Sequence, residues 1–123
     1  MEEQKFYRLV EKMKEFEGVE EIFLLDENGA IRYKSHDFSL NPEETKTIMT
    51  AWKEKQPALT YQGYRFAILK NDEIQLAAKN IVGGKGNLVG SVTKEGDYFL
   101  AHTRDAGLIL LEWSIQINKI AWS

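Results

Sequence analysis

The sequence predicts an α+β fold in which one antiparallel β-sheet carries helices on both faces. Three observations predict it: both ends of the chain repeat apolar residues at helical spacing, the segments between them resemble strands joined by short turns, and a helix with a recognisable cap interrupts those strands. The predicted order is α-β-β-α-β-β-β-β-α. We expect the N- and C-terminal helices to lie together on one face of the sheet and the middle helix on the other, with residues 1–123 forming a single domain.

Composition supports one soluble, cytoplasmic domain and excludes several classes of protein. The chain has 123 residues, of which 43% are hydrophobic, so it can bury a substantial core. Its net charge of −3 is too small to indicate a nucleic-acid partner. Without cysteine, disulfides and thiolate metal sites are excluded. No apolar run is long enough for a transmembrane helix, and the charged N-terminal segment does not resemble a signal peptide.

The N-terminal part of the chain predicts one helix followed by a hairpin. Four apolar residues recur at i, i+3, i+4 and i+7 among charged residues: Phe6, Leu9, Val10 and Met13. Gly18 ends this helix. The next segment, VEEIFLLD, is apolar at every position from 22 to 25, which is typical of a strand covered on both faces. The turn ENG then predicts a hairpin, with AIRYKS as the returning strand.

The connector SHDFSLNP contains serine, histidine and aspartate, but it predicts a corner rather than a catalytic loop. Residues 35–37 are consecutive, so their side chains cannot converge in the way that a catalytic triad requires. Asn41 and Pro42 predict the N-cap and first residue of a helix, and Glu44 is placed to complete a capping box. Pro57 ends this second helix.

Four further strands are predicted between the second and last helices: YRFAILK, IQLAAKNI, NLVGSVT and DYFLAHT. Apolar alternation in the first two puts their apolar residues on a shared face if the turn between them is residues 71–73. That register places Arg65 opposite Lys79 on the other face. Two opposed cations repel each other weakly, which a solvated face tolerates and an acidic partner would relieve.

The C-terminal segment GLILLEWSIQINKIAWS predicts the last helix, with Asp105 near its positive end. Its apolar residues fall on two opposite sides. One side carries Leu108, Leu111, Ile115 and Trp122, and the other carries Ile109, Trp113, Ile117 and Ile120. Since a surface helix normally has one apolar side, we expect this helix to pack on the sheet and also against the N-terminal helix.

Two stretches resemble the profilin family. GAIRYKSHDFSLNPEETKTIMTAW is similar to the profilin pattern of a glycine, a strand ending in Lys-Ser, a connector with Phe, and a helix opening with Pro-Glu-Glu. GYRFAILKNDEIQLAAKNIVGGKGNLVG is similar to the family's glycine, strand, turn, strand ending in lysine and glycine-rich bend. The similarity extends from about Val19 to the last helix, and its degree of divergence suits an archaeal relative.

The resemblance implies a protein that binds monomeric actin and regulates the assembly of actin filaments. In profilins the actin surface is built from the later strands and the start of the final helix. Carried over by position, the implied actin-binding residues are Arg65, Lys79, Lys85, Arg104 and Gly107. Many profilins have Asn three residues after the last of these, where this chain has Leu110.

The resemblance also implies a groove for proline-rich segments, formed here by Phe6, Tyr7 and Trp122. Because Arg32 stands where profilins have a tryptophan, one aromatic wall is missing, and we expect weak or absent binding of polyproline II ligands. Anionic lipid is a further candidate partner.

Two alternatives differ in class. A roadblock/longin-type scaffold that regulates small GTPases shares helices packed on a sheet, but that family places three strands between its second and last helices, whereas four are predicted here. An enzyme is disfavoured because no acid–base or nucleophile set converges in sequence. With only His36 and His102, far apart in the chain, no metal-ligand spacing is present, and no cofactor is expected.

Overall fold

The computed structural model describes residues 1–123 and contains three helices and seven strands. In chain order they are α1 (Glu3–Met13), β1 (Val19–Leu25), β2 (Ile31–Lys34), α2 (Pro42–Lys53), β3 (Ala58–Tyr61), β4 (Tyr64–Asn71), β5 (Gln75–Lys79), β6 (Asn87–Val92), β7 (Tyr98–Thr103) and α3 (Leu110–Ala121).

All seven strands form one antiparallel sheet in the order β2-β1-β7-β6-β5-β4-β3. β7 lies between β1 and β6, so the strand pairing that connects the N-terminal hairpin to the remaining strands runs through the last strand of the chain. Strand β1 is buried at every position from Ile22 to Leu25, because it is covered on both faces as its continuous apolar run predicted.

The two faces of the sheet carry separate apolar cores. Helices α1 and α3 cover one face, and their core includes Phe6, Leu9, Trp113, Ile117 and, from the strands, Val89 and Phe99. Helix α2 covers the opposite face, where Ile48, Met49 and Trp52 pack on Phe23, Leu76 and Leu100. The predicted placement of the three helices, and with it the predicted fold class, is therefore confirmed.

The sheet curls around α2 until its distant strands touch. Tyr61 of β3 stacks on Phe23 of β1 with ring centroids 5.7 Å apart, although four strands separate β3 from β1 in the sheet. The Tyr61 hydroxyl also donates a hydrogen bond of 2.8 Å to the carboxylate of Glu21. The α2 face is thus the inner, closed side of the sheet.

Helix α2 begins as predicted, but one predicted contact of its cap is wrong. The Asn41 side chain accepts a hydrogen bond of 2.8 Å from the backbone N–H of Glu43, and Pro42 is the first helical residue. Glu44 does not complete a capping box. Its carboxylate instead accepts from the backbone N–H groups of Gln62 and Gly63, because the curled sheet brings that turn against the helix start.

One strand, β3, is absent from the sequence prediction. It pairs with β4 through a two-residue turn in which Gln62 and Gly63 both have positive φ, 51° and 81°. Such turns usually contain Asn-Gly or Asp-Gly, so glutamine in the first position hides the hairpin signal.

The predicted register of the next hairpin is also wrong. Lys79 lies opposite Ala67, not opposite Arg65, which pairs instead with Thr60 of β3. The ladder contains an irregularity between Ile68 and Lys70. The predicted turn of residues 71–73 is wrong as well, because Asn71 pairs with Leu76 and residues 72–75 form the turn. The longer turn shifts the register, and a bulge, which adds a residue to one strand, cannot be read from apolar alternation.

The last helix differs from its prediction in two ways. It begins at Leu110, and Asp105 is not at its first turn, because the carboxylate bonds to strand residues instead. The second apolar side of the helix is not covered by α1. Leu111, Ile115 and Trp122 remain 63%, 53% and 42% exposed, while Trp113 and Ile117 are buried.

Candidate functional site

The predicted actin-binding residues come together at one edge of the sheet. In an antiparallel sheet the start of one strand lies beside the end of the next. Arg65 is at the start of β4, Lys79 at the end of β5, Lys85 just before β6, and Arg104 just after β7. Gly107 lies in the connection from that edge to α3 and is exposed.

Arg65 and Lys79 share the face of the sheet that carries α1 and α3, because Arg65 alternates with Ala67 and Ala67 lies opposite Lys79. The guanidinium of Arg65 is exposed and forms no ion pair. The ammonium of Lys79 lies 2.6 Å from a carboxylate oxygen of Asp105. Of these two cations, only Arg65 is free of an intramolecular partner.

Asp105 links three elements at this edge. One oxygen contacts Lys79, and the other accepts a hydrogen bond of 2.8 Å from the side chain of Asn87. These hydrogen bonds, from Asn87 and from Lys79, hold the pKa of the Asp105 carboxyl below its ordinary value. The carboxylate is half-exposed, so water and an incoming cation or anion can reach the pair.

Lys85 is presented by the loop of residues 80–86. Its ammonium lies over the ring of Tyr64, 4.6 Å from the centroid, which is a cation–π contact. The loop returns to the sheet at Gly86, where an added Cβ would lie 2.0 Å from the carbonyl oxygen of Thr103. Only glycine permits this approach, and it fixes the base of the loop against the end of β7.

The two remaining predicted residues differ in their environment. Arg104 is exposed and forms an ion pair with Glu20, and Gly107 has open space around the position of a side chain. Leu110, the first residue of α3, is only 8% exposed and packs into the core. At the start of α3 the Leu110 side chain is therefore not available to a partner, whereas the residue that follows it, Leu111, is exposed.

An exposed apolar stripe on α3 continues this surface. Leu111 and Ile115 lie on the same side of the helix as Ser114 and Asn118. The Ser114 carbonyl accepts a hydrogen bond from the Gln75 side chain, and the Asn118 side chain donates one to the Ser91 hydroxyl. The stripe therefore lies on the flank of α3 toward β5, away from α1. We call Leu111, Ile115 and the five predicted residues together the strand-end surface.

A polar cluster lies beneath this surface on the inner side of the sheet. The Glu21 carboxylate accepts a hydrogen bond from the Tyr61 hydroxyl at 2.8 Å and lies 3.0 Å from Nδ1 of His102. The Nε2 of His102 lies 2.6 Å from the Lys85 carbonyl oxygen.

Burial raises the pKa of Glu21, but the hydrogen bonds from His102 and Tyr61 outweigh it and hold that pKa below 4.5. Burial lowers the pKa of His102, but Glu21 and the Lys85 carbonyl outweigh it and hold that pKa above 6.5. Burial and Glu21 raise the pKa of Tyr61.

The residues predicted for a proline-rich ligand are only partly assembled. Phe6 is fully buried and packs its ring against Tyr7, Tyr33 and Phe99, so it supports the surface from below. Tyr7 is 42% exposed, and its hydroxyl donates to the Lys34 carbonyl at 3.2 Å. Trp122 continues the exposed stripe of α3 and makes no aromatic contact with either residue.

Arg32 stands at the same side of the molecule. Its guanidinium lies 3.4 Å from the carboxylate of Asp97 and 5.7 Å from the centroid of the Tyr33 ring. We call Phe6, Tyr7, Arg32 and Tyr33 the terminal-helix patch.

No group of three or more histidine, aspartate or glutamate side chains is placed to hold a metal ion, and no helix has the length and apolarity needed to cross a bilayer.

Comparison with known proteins decides the family. No family model matches the chain. Loki profilin-3 of Lokiarchaeum sp. (strain GC14_75) is 66% identical over 123 residues, which is the full length of both proteins. The chain belongs to the profilin family. A second profilin, Odin profilin of Odinarchaeota yellowstonii (strain LCB_4), is 28% identical over 93 residues, covering 76% of this chain and 74% of that protein.

Solved profilin structures have the same fold. The chain matches the profilin of a LokiProfilin2/rabbit actin complex with a TM-score of 0.81 at 18% identity, covering 98% of this chain and 95% of that one. Acanthamoeba castellanii profilin IB matches with a TM-score of 0.68 at 15% identity, covering 85% and 82%. The profilin fold also removes the roadblock/longin alternative, since five strands, not three, lie between α2 and α3.

Proposed function

We propose that this profilin binds monomeric actin through the strand-end surface and thereby regulates the assembly of actin filaments. The observation that carries the proposal is the convergence, at one edge of the sheet, of the residues that correspond in position to the actin surface of the family, beside an exposed apolar stripe. Two solved structures with the same fold are profilins in complex with rabbit actin, which supports the proposal by analogy.

The chemistry of the surface suits an acidic protein partner with apolar patches. Arg65 offers an unpaired guanidinium, which can bind a carboxylate through two parallel hydrogen bonds. Leu111 and Ile115 offer apolar area that a partner would remove from water. Lys79 can exchange Asp105 for a carboxylate of the partner, because the existing pair is half-exposed and contributes little to stability.

We infer that the protein acts by binding and not by catalysis. A profilin bound to an actin monomer covers part of the monomer's surface and so changes which monomers can join a filament. Any effect on the nucleotide bound to actin would arise because the profilin binds one conformation of actin more tightly than another. We therefore propose that the protein acts in the cytoplasm with its partner.

We propose that proline-rich segments bind weakly or not at all at the terminal-helix patch. Arg32 and its carboxylate partner occupy the place of an aromatic wall, Phe6 is buried, and Trp122 belongs to another flank. Anionic lipid is a candidate competitor at the strand-end surface, because it would be attracted by the same cations, Arg65 and Lys85.

The direct test uses actin from the organism that encodes this chain. The purified profilin is titrated into monomeric actin by calorimetry, and filament formation is followed by sedimentation at each ratio. We expect saturable binding at one profilin per actin and a matching fall in the filament fraction. No heat of binding together with unchanged sedimentation would contradict the proposal.

A further inference from the structure

Two protein acceptors enclose the ring of His102. Its Nδ1 faces the Glu21 carboxylate at 3.0 Å, and its Nε2 faces the Lys85 carbonyl at 2.6 Å. A backbone carbonyl is only an acceptor, and an ionised carboxylate is only an acceptor. Both contacts can be hydrogen bonds at once only if both ring nitrogens carry protons, so the observed geometry is that of the imidazolium.

Neutral His102 cannot keep both contacts. It has one N–H and one lone pair, so one of the two acceptors must face a lone pair at hydrogen-bond distance. The carboxylate retains the N–H more strongly, because a hydrogen bond to a charged acceptor is about twice as strong as one to a neutral acceptor. Glu21 is also held by Tyr61. The Lys85 carbonyl is therefore the acceptor that is released.

The segment that carries this carbonyl is exposed and rich in glycine. Gly83, Gly84 and Gly86 have φ of 111°, 64° and 77°, and all of residues 81–85 are exposed. The ends of the 80–86 loop are fixed by Gly86, which packs against Thr103, and by Asn80, which donates its backbone N–H to the Gly86 carbonyl and accepts from the N–H of Lys85. No group other than His102 contacts the Lys85 carbonyl at hydrogen-bond distance, so the orientation of that carbonyl depends on His102.

We propose that doubly protonated His102 is a positioning residue, which fastens the 80–86 loop to β7 and so holds Lys85 in the orientation that meets the partner. The role in partner binding rests on the proposed actin-binding function, whereas the fastening of the loop does not. The affinity for actin therefore depends on the protonation of His102, which lies on the face of the sheet opposite Arg65 and Lys79.

The direction of the pH dependence follows from the groups that face His102. These are Glu21 and, at longer range, Glu20 from β1, Tyr61 from β3, the uncharged ring of Phe66 from β4, and the Lys85 carbonyl. His36 acts on Glu21, and Glu44 acts on Tyr61. Because the pKa of His102 is held above 6.5 in the folded protein, the fastening is complete below pH 6.5 and is lost as the pH rises through that raised value. Since the pKa of Glu21 is held below 4.5, the carboxylate is ionised throughout that transition.

The first experiment needs no actin. Nuclear magnetic resonance follows the rings of both histidines and the backbone amides of the 80–86 loop from about pH 5 to about pH 9, the range in which histidines titrate. We expect the amides of Lys85 and Gly86 to shift with the midpoint of His102. In His102→Gln the shift should disappear, and in His36→Gln, the matched control, it should remain. In Glu21→Gln the His102 midpoint and the loop midpoint should move to lower pH together. Loop amides that do not titrate, or that follow His36, overturn the proposal.

The second experiment measures the dissociation constant for actin on both sides of the His102 midpoint. We expect the wild-type protein to lose about fivefold in affinity above the midpoint, relative to His102→Gln at the same two pH values, which is the factor that one net hydrogen bond supplies. Referring each value to the variant removes the pH dependence of actin itself. A titrating loop with no such relative loss overturns the positioning role. Failure of every variant to bind actin at any pH contradicts the proposed function instead, and the loop titration then decides the fastening alone.

Discussion

The strand-end surface and the terminal-helix patch each contain an exposed arginine, Arg65 and Arg32, yet their surroundings differ. Arg65 has no acidic partner, and Leu111 and Ile115 of the same surface are exposed. At the terminal-helix patch Arg32 is paired with Asp97, which is only 7% exposed, and the aromatic ring of Phe6 is fully buried. A cation that is already paired, above rings that are already packed, has little interaction energy left for a ligand. The comparison therefore supports the proposal that the partner binds at the first region and not at the second.

The largest expected effect tests the cations of the strand-end surface. Reversing both charges in Arg65→Glu with Lys79→Glu removes two attractions and adds two repulsions, and close charge pairs between proteins couple by about 1.5 kcal/mol or more. We expect actin affinity to fall by at least about tenfold, with a smaller fall at high salt because ions screen exposed charges. Calorimetric titration at two salt concentrations measures both effects.

The control for this change reverses two lysines on α1, Lys12 and Lys14, which lie outside the strand-end surface. It should leave actin binding unchanged. Unchanged inhibition of actin polymerisation by the strand variant, with its fold intact by circular dichroism, would mean that actin binds elsewhere on this profilin.

An intermediate effect tests the apolar stripe. Leu111→Ala with Ile115→Ala removes apolar area that a partner would bury, and full burial of such a side chain contributes roughly 1.5–3 kcal/mol. Since only part of that area converts to affinity, we expect the actin dissociation constant to rise about fivefold. The matched control is Leu69→Ala, an exposed apolar residue of β4 toward the end away from the strand-end surface, and this variant should bind actin like the wild type. Equal loss in both variants would show that the stripe has no special role.

The smallest expected effect concerns the terminal-helix patch. Arg32→Trp removes the guanidinium and restores an aromatic ring, whose packing on a proline ring is worth about 1 kcal/mol by comparison with aromatic pairs. A polyproline peptide should bind the wild type with a dissociation constant of about millimolar or weaker and the variant about fivefold more tightly. Arg65→Trp places the same ring on the other surface and should not help the peptide. Micromolar binding by the unmodified protein would show that the terminal-helix patch binds proline-rich ligands without this tryptophan.

The parts of this fold with strong local signals could be predicted from the sequence. Asn41 and Pro42 mark a helix start because the cap and the proline act within one turn, and the continuous apolar run of β1 marks a strand covered on both faces. β3 was missed because Gln62 does not resemble a turn residue. The register of β4 and β5 differs from the prediction because Asn71 pairs with Leu76, which lengthens the turn, and because the irregularity between Ile68 and Lys70 has no sequence pattern.

The candidate site was predictable only in part, for a related reason. Strand ends that alternate in direction must meet at one edge, so the grouping of Arg65, Lys79 and Lys85 follows from strand order. Glu21 and His102 lie directly opposite each other on the neighbouring strands β1 and β7, but the contact of Tyr61 with both of them depends on how far the sheet curls. The open flank of α3 is predicted as covered, because two apolar sides of a helix indicate two packing contacts, whereas the structure leaves Leu111, Ile115 and Trp122 exposed.

The central position of β7 has a consequence for how the chain folds as it is made. The hairpin of β1 and β2 leaves the ribosome early, yet its neighbour in the sheet is Tyr98–Thr103, with Val19 paired to Thr103. Contacts so distant in sequence form slowly, because the intervening chain must first be ordered. During synthesis α1 and the hairpin must therefore wait, with their apolar sides uncovered, while β3 to β6 can already pair with one another. The pairing of β7 with both β1 and β6 joins the two parts, so we expect the sheet to be completed only after β7 has been synthesised.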